Sequence, residues 1–278
     1  FEPGRVEIKR MRIILGKEIL KITKENDLKR ELEKIKKKEE RFLNRSSLRN
    51  PLKEAVYERV PEKLQKVLEG AFERAFGLVF QKGTAVIEKT FDREGAALEF
   101  EAADYVVGRH PGKKSLRRME KQAKRDNKVN TAAAAASGLG LGLLWLGIPD
   151  IPLIVGTTLK GVYEIALGYG FHYEEEGEKI YILKLIRSAL AEGEERRRWS
   201  REMDEMTRYG EICVPISKEE LKEEIRLTAK VLSDALLVEK FVQGVPVIGV
   251  VGGVVNAAFY RKVSWLGGVK YKGRYLER

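Results

Sequence analysis

Leu28, Leu32, Ile35, Glu39 and Phe42 stand alternately four and three residues apart among Lys and Glu. That spacing predicts an exposed amphipathic helix with a narrow apolar stripe, entered through Asp27 as N-cap. The tract from Asn44 to Pro51 breaks it, because Ser, Asn and an Asn-Pro step disfavour further helix. Beyond Pro61, a residue suited to a first helical turn, Leu64, Val67, Leu68, Ala71, Ala75 and Leu78 continue an apolar face. Further helices are expected over Glu94 to Val107, Leu153 to Tyr169 and, again amphipathic, Lys179 to Ala191. Glu174, Glu175, Glu176 and Glu178 supply the acid that a helix N-terminus favours. Ser217 with Glu220 reads as a capping box for a helix through Leu237. The segment FGLVFQKGTAVI could turn as a hairpin at Lys82-Gly83, yet continuous helix fits it better. No tandem repeat is present, and the expected class is all-α, a multi-helix bundle.

Two charge-free stretches interrupt this periodicity. Val129 to Pro149 and Phe241 to Tyr260 are apolar all round and glycine-rich, each about the ~20 residues that would span a bilayer. A helix buried on every side in a folded bundle has the same signature, so core helices and inserting helices both remain open. Within them Ala134, Gly138 and Gly142, and likewise Gly249, Gly253 and Ala257, recur every fourth residue. Small residues at that spacing form a glycine zipper along which two helix backbones approach closely. The two stripes are expected to face each other, with Asn256 fixing their register, while Gly268 in the basic tail should tolerate substitution.

Charge sharpens the picture. The chain of 278 residues carries a net +11, with 34% charged residues. Its mean hydropathy of -0.34 and pI of about 9.5 are those of a basic protein with ordinary polarity. The basic residues are clustered: nine against two acidic in Arg109 to Lys128, and six against one in Arg261 to Arg278. Each cluster borders one apolar stretch, as a cytoplasmic-leaflet contact would require. Lys113, Lys114, Arg117, Arg118, Lys121, Lys124, Arg125, Arg261 and Lys262 are therefore the candidate contacts with anionic lipid, with Trp145 at headgroup level. Residues 1–50 form a third basic region, expected as a helical extension preceding a domain over 51–278. The run from Arg109 to Lys128 contains no Phe, Tyr or Trp to stack on bases, so nucleic acid is not the expected partner. No secretory signal is expected.

The inventory for chemistry is thin. Two histidines, His110 and His172, and one cysteine, Cys213, make no usual zinc site without carboxylates, and no nucleotide-binding or hydrolase motif occurs. No cofactor or metal is expected. Asp150, a lone carboxylate between Ile148-Pro149 and Ile151-Pro152, reads first as an N-cap with Pro152 in the first turn. An ion pair, or a hydrolase using Asp150 with His172 or Asp104, are the alternatives for it.

The order of the later motifs carries a resemblance. An Ala/Gly-rich run with Gly138 and Gly142 leads into GIPDIPLI, with Asp150 and Pro152; IALGYGF follows, with Tyr169, Gly170 and Phe171; then come an ILKLI helix and VPVIGVVGGVVNAAF, with Pro246, Gly249, Gly253 and Asn256. This order resembles the EcsC family over residues 51–278. His172 stands where relatives commonly have Asp after the Tyr-Gly-Phe triplet, which withdraws any acid role at that position. The resemblance implies a protein peripheral to the cytoplasmic face of the bacterial membrane, in a family named for a component associated with an ABC exporter, with no reaction attached. The expected function is thus an accessory protein that contacts anionic lipid, alone or beside a membrane protein complex. An adaptor working through the helix at residues 28–43 is the remaining alternative.

Overall fold

The computed structural model describes residues 26–45, 56, 58–82, 85–89, 91–123, 150–209, 212, 215–243 and 253–278, and among these the regular structure is helical throughout. Helix α1 covers residues 26–43. It is followed by α2 (Glu62–Lys82), the single turn α3 (Ala85–Glu88), α4 (Arg93–Arg109), α5 (Lys113–Ala123) and α6 (Asp150–Gly168). Then come α7 (Glu176–Leu190), α8 (Gly193–Arg208), α9 (Lys218–Gln243) and α10 (Gly253–Glu277). The all-α bundle read from the sequence is the observed class.

Two helices make the centre. α6 packs against α10, α4, α2 and α5, while α7 packs against α8, α9 and α10. From Ile154 to Leu167 every described residue of α6 is buried. α7 corrects an expectation: Tyr181, Ile182, Leu185 and Ala189 are as buried as Ile180, Leu183, Ile186 and Leu190. The helix is not amphipathic in place, because its polar side is neutralised inside the bundle. Lys184 meets Glu202 of α8 at 2.5 Å and Glu224 of α9 at 3.3 Å, and the fully buried Arg187 pairs with Glu224 while its guanidinium lies 4.0 Å from the Trp199 ring. α2 turns Leu68, Phe72 and Phe76 inward, and α2 packs against α9 and α6. Each such side chain contributes roughly 1.5–3 kcal/mol when fully buried.

The outer layer follows the predicted periods. Asp92 caps α4 by accepting from the Gly95 N–H at 2.8 Å, and Ser217 caps α9 through the Glu220 N–H at 3.0 Å. α9 runs to Gln243, past the expected end at Leu237. α1 already includes Asn26 and Asp27, so Asp27 is inside the helix and not its N-cap.

α1 lies antiparallel along α10. Glu31 faces Lys272, Ile35 faces Gly273, Glu39 meets Lys270, and the Phe42 ring sits 4.9 Å from that of Trp265. Ile35 is 4% exposed, so the stripe that an adaptor would offer to a partner is already covered by α10. Gly268 is also buried on α10, contrary to its reading as a tolerant tail position, because the basic tail is a packed helix. The stretch Phe241 to Tyr260 is divided between the end of α9 and the start of α10, with residues 244–252 outside the described ones. Among the described residues no helix is long and apolar enough to cross a membrane.

Candidate functional site

α5 is the most one-sided helix of the bundle. The α4–α5 turn is fixed by the Ser115 hydroxyl, which lies within hydrogen-bond distance of the carbonyls of His110, at 2.7 Å, and Gly112, at 2.9 Å. Leu116 and Met119 are 2% and 1% exposed. Ala123 lies so close to Gly168 of α6 that any side chain at Gly168 would overlap it, which is why the helix ends can approach. The opposite side carries Lys113, Lys114, Arg117, Arg118 and Lys121, all exposed. Helical spacing gathers these five candidate lipid contacts into one face. Glu120, the lone acidic residue of α5, turns inward, its carboxylate 3.1 Å from Lys272. Among the described residues no carboxylate pairs with the five outer cations.

The second basic cluster behaves differently. Lys270 is 3% exposed and meets Glu39 at 2.5 Å and Asp204 at 2.6 Å. Lys272, equally buried, is shared by Glu31 at 3.6 Å and Glu120 at 3.1 Å. Burial pulls the Glu31 carboxyl upward, but Lys34 and Lys272 together hold it below the usual carboxylate range. Arg274 makes two hydrogen bonds to Glu178, at 2.7 and 3.0 Å. These three cations are therefore consumed inside the fold. Arg261 is exposed and Lys262 half-buried, both on the first half of α10.

The Tyr169-Gly170-Phe171 motif serves this internal network. Gly170 has φ +74, and a side chain there would overlap the Phe100 ring, so the position needs glycine on both counts. The turn presents Phe171 to the Arg274 and Arg278 guanidinium groups, each 4.0 Å from its ring, and Arg278 donates to the Gly170 carbonyl at 2.9 Å. Arg274 is also 4.3 Å from the Tyr181 ring, and Tyr271 donates to Glu178 at 2.6 Å. Burial raises the Tyr181 and Tyr271 phenols well above their ordinary value. Beside this knot, α1, α8 and α10 border a cleft of about 980 Å³. Its lining carries both cations and carboxylates, many of them paired with one another, such as Lys36 with Glu277 and Arg274 with Glu178. Glu178 and Arg274 were missed from sequence; the one signal was an acidic residue at a helix start, which reads equally well as a dipole partner.

The candidate catalytic residues are spread along α6. Asp150 opens α6 and His172 follows its far end, so the 19 residues of α6 hold them about 28 Å apart. Asp104 accepts from Tyr275 at 2.7 Å, and Phe100 on the same helix packs by Gly170 at that far end. Among the described residues no group of three or more His, Cys, Asp and Glu could hold a metal.

Pro152 is buried in the first turn of α6, and Gly253 opens α10, which also contains Asn256. The capping proposed for Asp150 and the register role of Asn256 concern side chains that are not among those described. Lys124, Arg125, Gly138, Gly142, Trp145, Pro246 and Gly249 lie outside the described residues, and with them the pairing of the two small-residue stripes.

Comparison with known proteins gives relatives in Bacillus subtilis (strain 168). The uncharacterized protein YdbA is 28% identical over 157 residues, which cover 55% of this chain and 56% of that protein. Protein EcsC is 30% identical over 66 residues, 24% of this chain and 28% of that protein. The chain thus aligns with about half the length of the first and about a quarter of the second. No solved structure matches. A model of the EcsC protein family matches residues 26–276, which takes in every described helix from α1 to α10, and the chain belongs to that family.

Proposed function

We propose that this protein is a membrane-peripheral accessory factor that binds anionic lipid surface through the outer face of α5, without chemistry of its own. The observation that carries it is the separation of charge on that helix. Five exposed cations share one side, and the single carboxylate is drawn inward onto Lys272. Nothing in the packing of the bundle requires five like charges on one face, and they repel one another. A surface bearing phosphates relieves that repulsion and gains roughly 1 kcal/mol per cation close to it. The alternative in class, a hydrolase built on Asp150, would have to draw on groups at opposite ends of α6.

The test is flotation of the purified protein with vesicles. Phosphatidylcholine vesicles alone should leave it in solution, and vesicles with 30% phosphatidylglycerol should carry it up at low salt. Equal recovery with both compositions would refute the proposal.

A further inference from the structure

The basic surface does not end at α5. α1 meets it at two places: a side chain at Gly112, just before α5, would touch the Asp27 carboxylate, and Lys272 is shared by Glu31 of α1 and Glu120 of α5. The charges of α1 are sorted about that contact. Advancing about 100° per residue from Ile35, the flank that carries Asp27 and Glu31 toward α5 also carries Lys34, Lys38 and Arg41, with Arg30 and Lys37 at the crest. The opposite flank carries Lys29, Glu33 and Glu40 beside Leu32, Lys36 and Leu43, of which Leu32, Lys36, Glu40 and Leu43 line the cleft. Lys36 is paired there with Glu277 at 2.8 Å. Of the remaining acids of α1, Glu31 is spent inward on Lys34 and Lys272 and Glu39 on Lys270 and the Ser200 hydroxyl, while the half-exposed Asp27 lies 4.0 Å from Arg30. Lys37, Lys38 and Arg41 are exposed and meet no carboxylate among the described residues.

We infer that α1 supplies the second half of one continuous cationic face, and that the occupant of this face is an anionic lipid bilayer lying across α1 and α5 together. The inference rests on the membrane reading of α5 and extends it, because the buried Lys272 of α10 holds the two helices in register. Charge complementarity selects the occupant: two neighbouring helices present cations outward while Glu31 and Glu120 on their shared border are drawn inward onto Lys272. A single phosphorylated ligand would engage one cluster, whereas a bilayer engages both helices at once.

Three charge-matched variants test it by flotation with vesicles of phosphatidylcholine and 30% phosphatidylglycerol. They are Lys37→Gln/Lys38→Gln/Arg41→Gln on α1, Lys113→Gln/Arg117→Gln/Lys121→Gln on α5, and Lys218→Gln/Lys222→Gln/Lys230→Gln on the exposed side of α9. Each cation near the surface is worth about fivefold in partitioning. Both the α1 and α5 variants should therefore lose more than about tenfold, and the α9 variant less than about threefold, with unchanged circular dichroism melts. Loss in the α5 variant alone overturns the inference and leaves the membrane reading standing. Equal loss in all three reduces the effect to net charge and overturns it too. Failure of the parent protein to float overturns both. Binding confined to soluble inositol phosphate, measured by titration in parallel, replaces the bilayer with a small anion and is likewise a refutation.

Discussion

Replacing Glu178 with Gln probes the internal network that gives the family motif its purpose. Glu178 is 1% exposed and accepts from Tyr271 and twice from Arg274. Gln keeps the shape but removes the charge, leaving the Arg274 guanidinium, 11% exposed, without a counter-ion. Breaking a buried pair by losing one partner costs about 3–5 kcal/mol. The rings of Phe171, Tyr181 and Tyr271 around Arg274 retain part of its stabilisation, so about 3 kcal/mol is the expected loss. At roughly 2–4 °C per kcal/mol for a chain of this size, the melting temperature should fall by about 6–12 °C. The double variant Glu178→Gln/Arg274→Met removes the orphaned charge while filling the space, and should recover at least a third of that loss. Differential scanning calorimetry of parent, single and double variants gives the cycle. Additive losses, or a single variant within about 1 °C of the parent, would refute the argument.

Gly170→Ala combines a left-handed backbone with overlap on Phe100, and should cost about 2 kcal/mol or more by chemical denaturation, whereas Gly77→Ala, in open space on α2, should be neutral or stabilising. Glu31 and Glu202 sit below the usual carboxylate value, Glu31 because Lys34 and Lys272 outweigh burial, Glu202 because Lys184 and Arg198 do. Their stabilising contribution is complete above about pH 4.5 and is lost as pH falls through the lowered folded values, so melts from pH 6 to 3 should decline less steeply in Glu202→Gln than in the parent. Gly268→Leu, buried on α10, should lower stability by about 1–3 kcal/mol in the same denaturation assay.

Local order was readable because period and capping are local. The faces of α1 and α2 and the Ser217 end of α9 follow from residues within a few positions of each other. What escaped was set by partners far along the chain. Arg274 and Glu178 are 96 residues apart, and Lys272 and Glu120 152 apart, so the inward pairing of three cations of the basic tail could not be read from their neighbours in sequence. α7 misled for the same reason, since Lys184 and Arg187 mark a polar face only until Glu202 and Glu224 cover it. Of the two basic flanks, the α5 one keeps five cations outward while its own carboxylate turns in.

The central claim is that α5 binds lipid by charge. Its most direct test is partitioning to phosphatidylglycerol-containing vesicles across a salt series, for the parent and for a variant with Lys113, Lys114, Arg117, Arg118 and Lys121 all changed to Gln. Screening over about 8 Å at physiological ionic strength should weaken parent binding steeply as salt rises. The variant should bind little at any salt and show a nearly flat dependence. Binding by the variant as strong and as salt-sensitive as that of the parent would contradict the account.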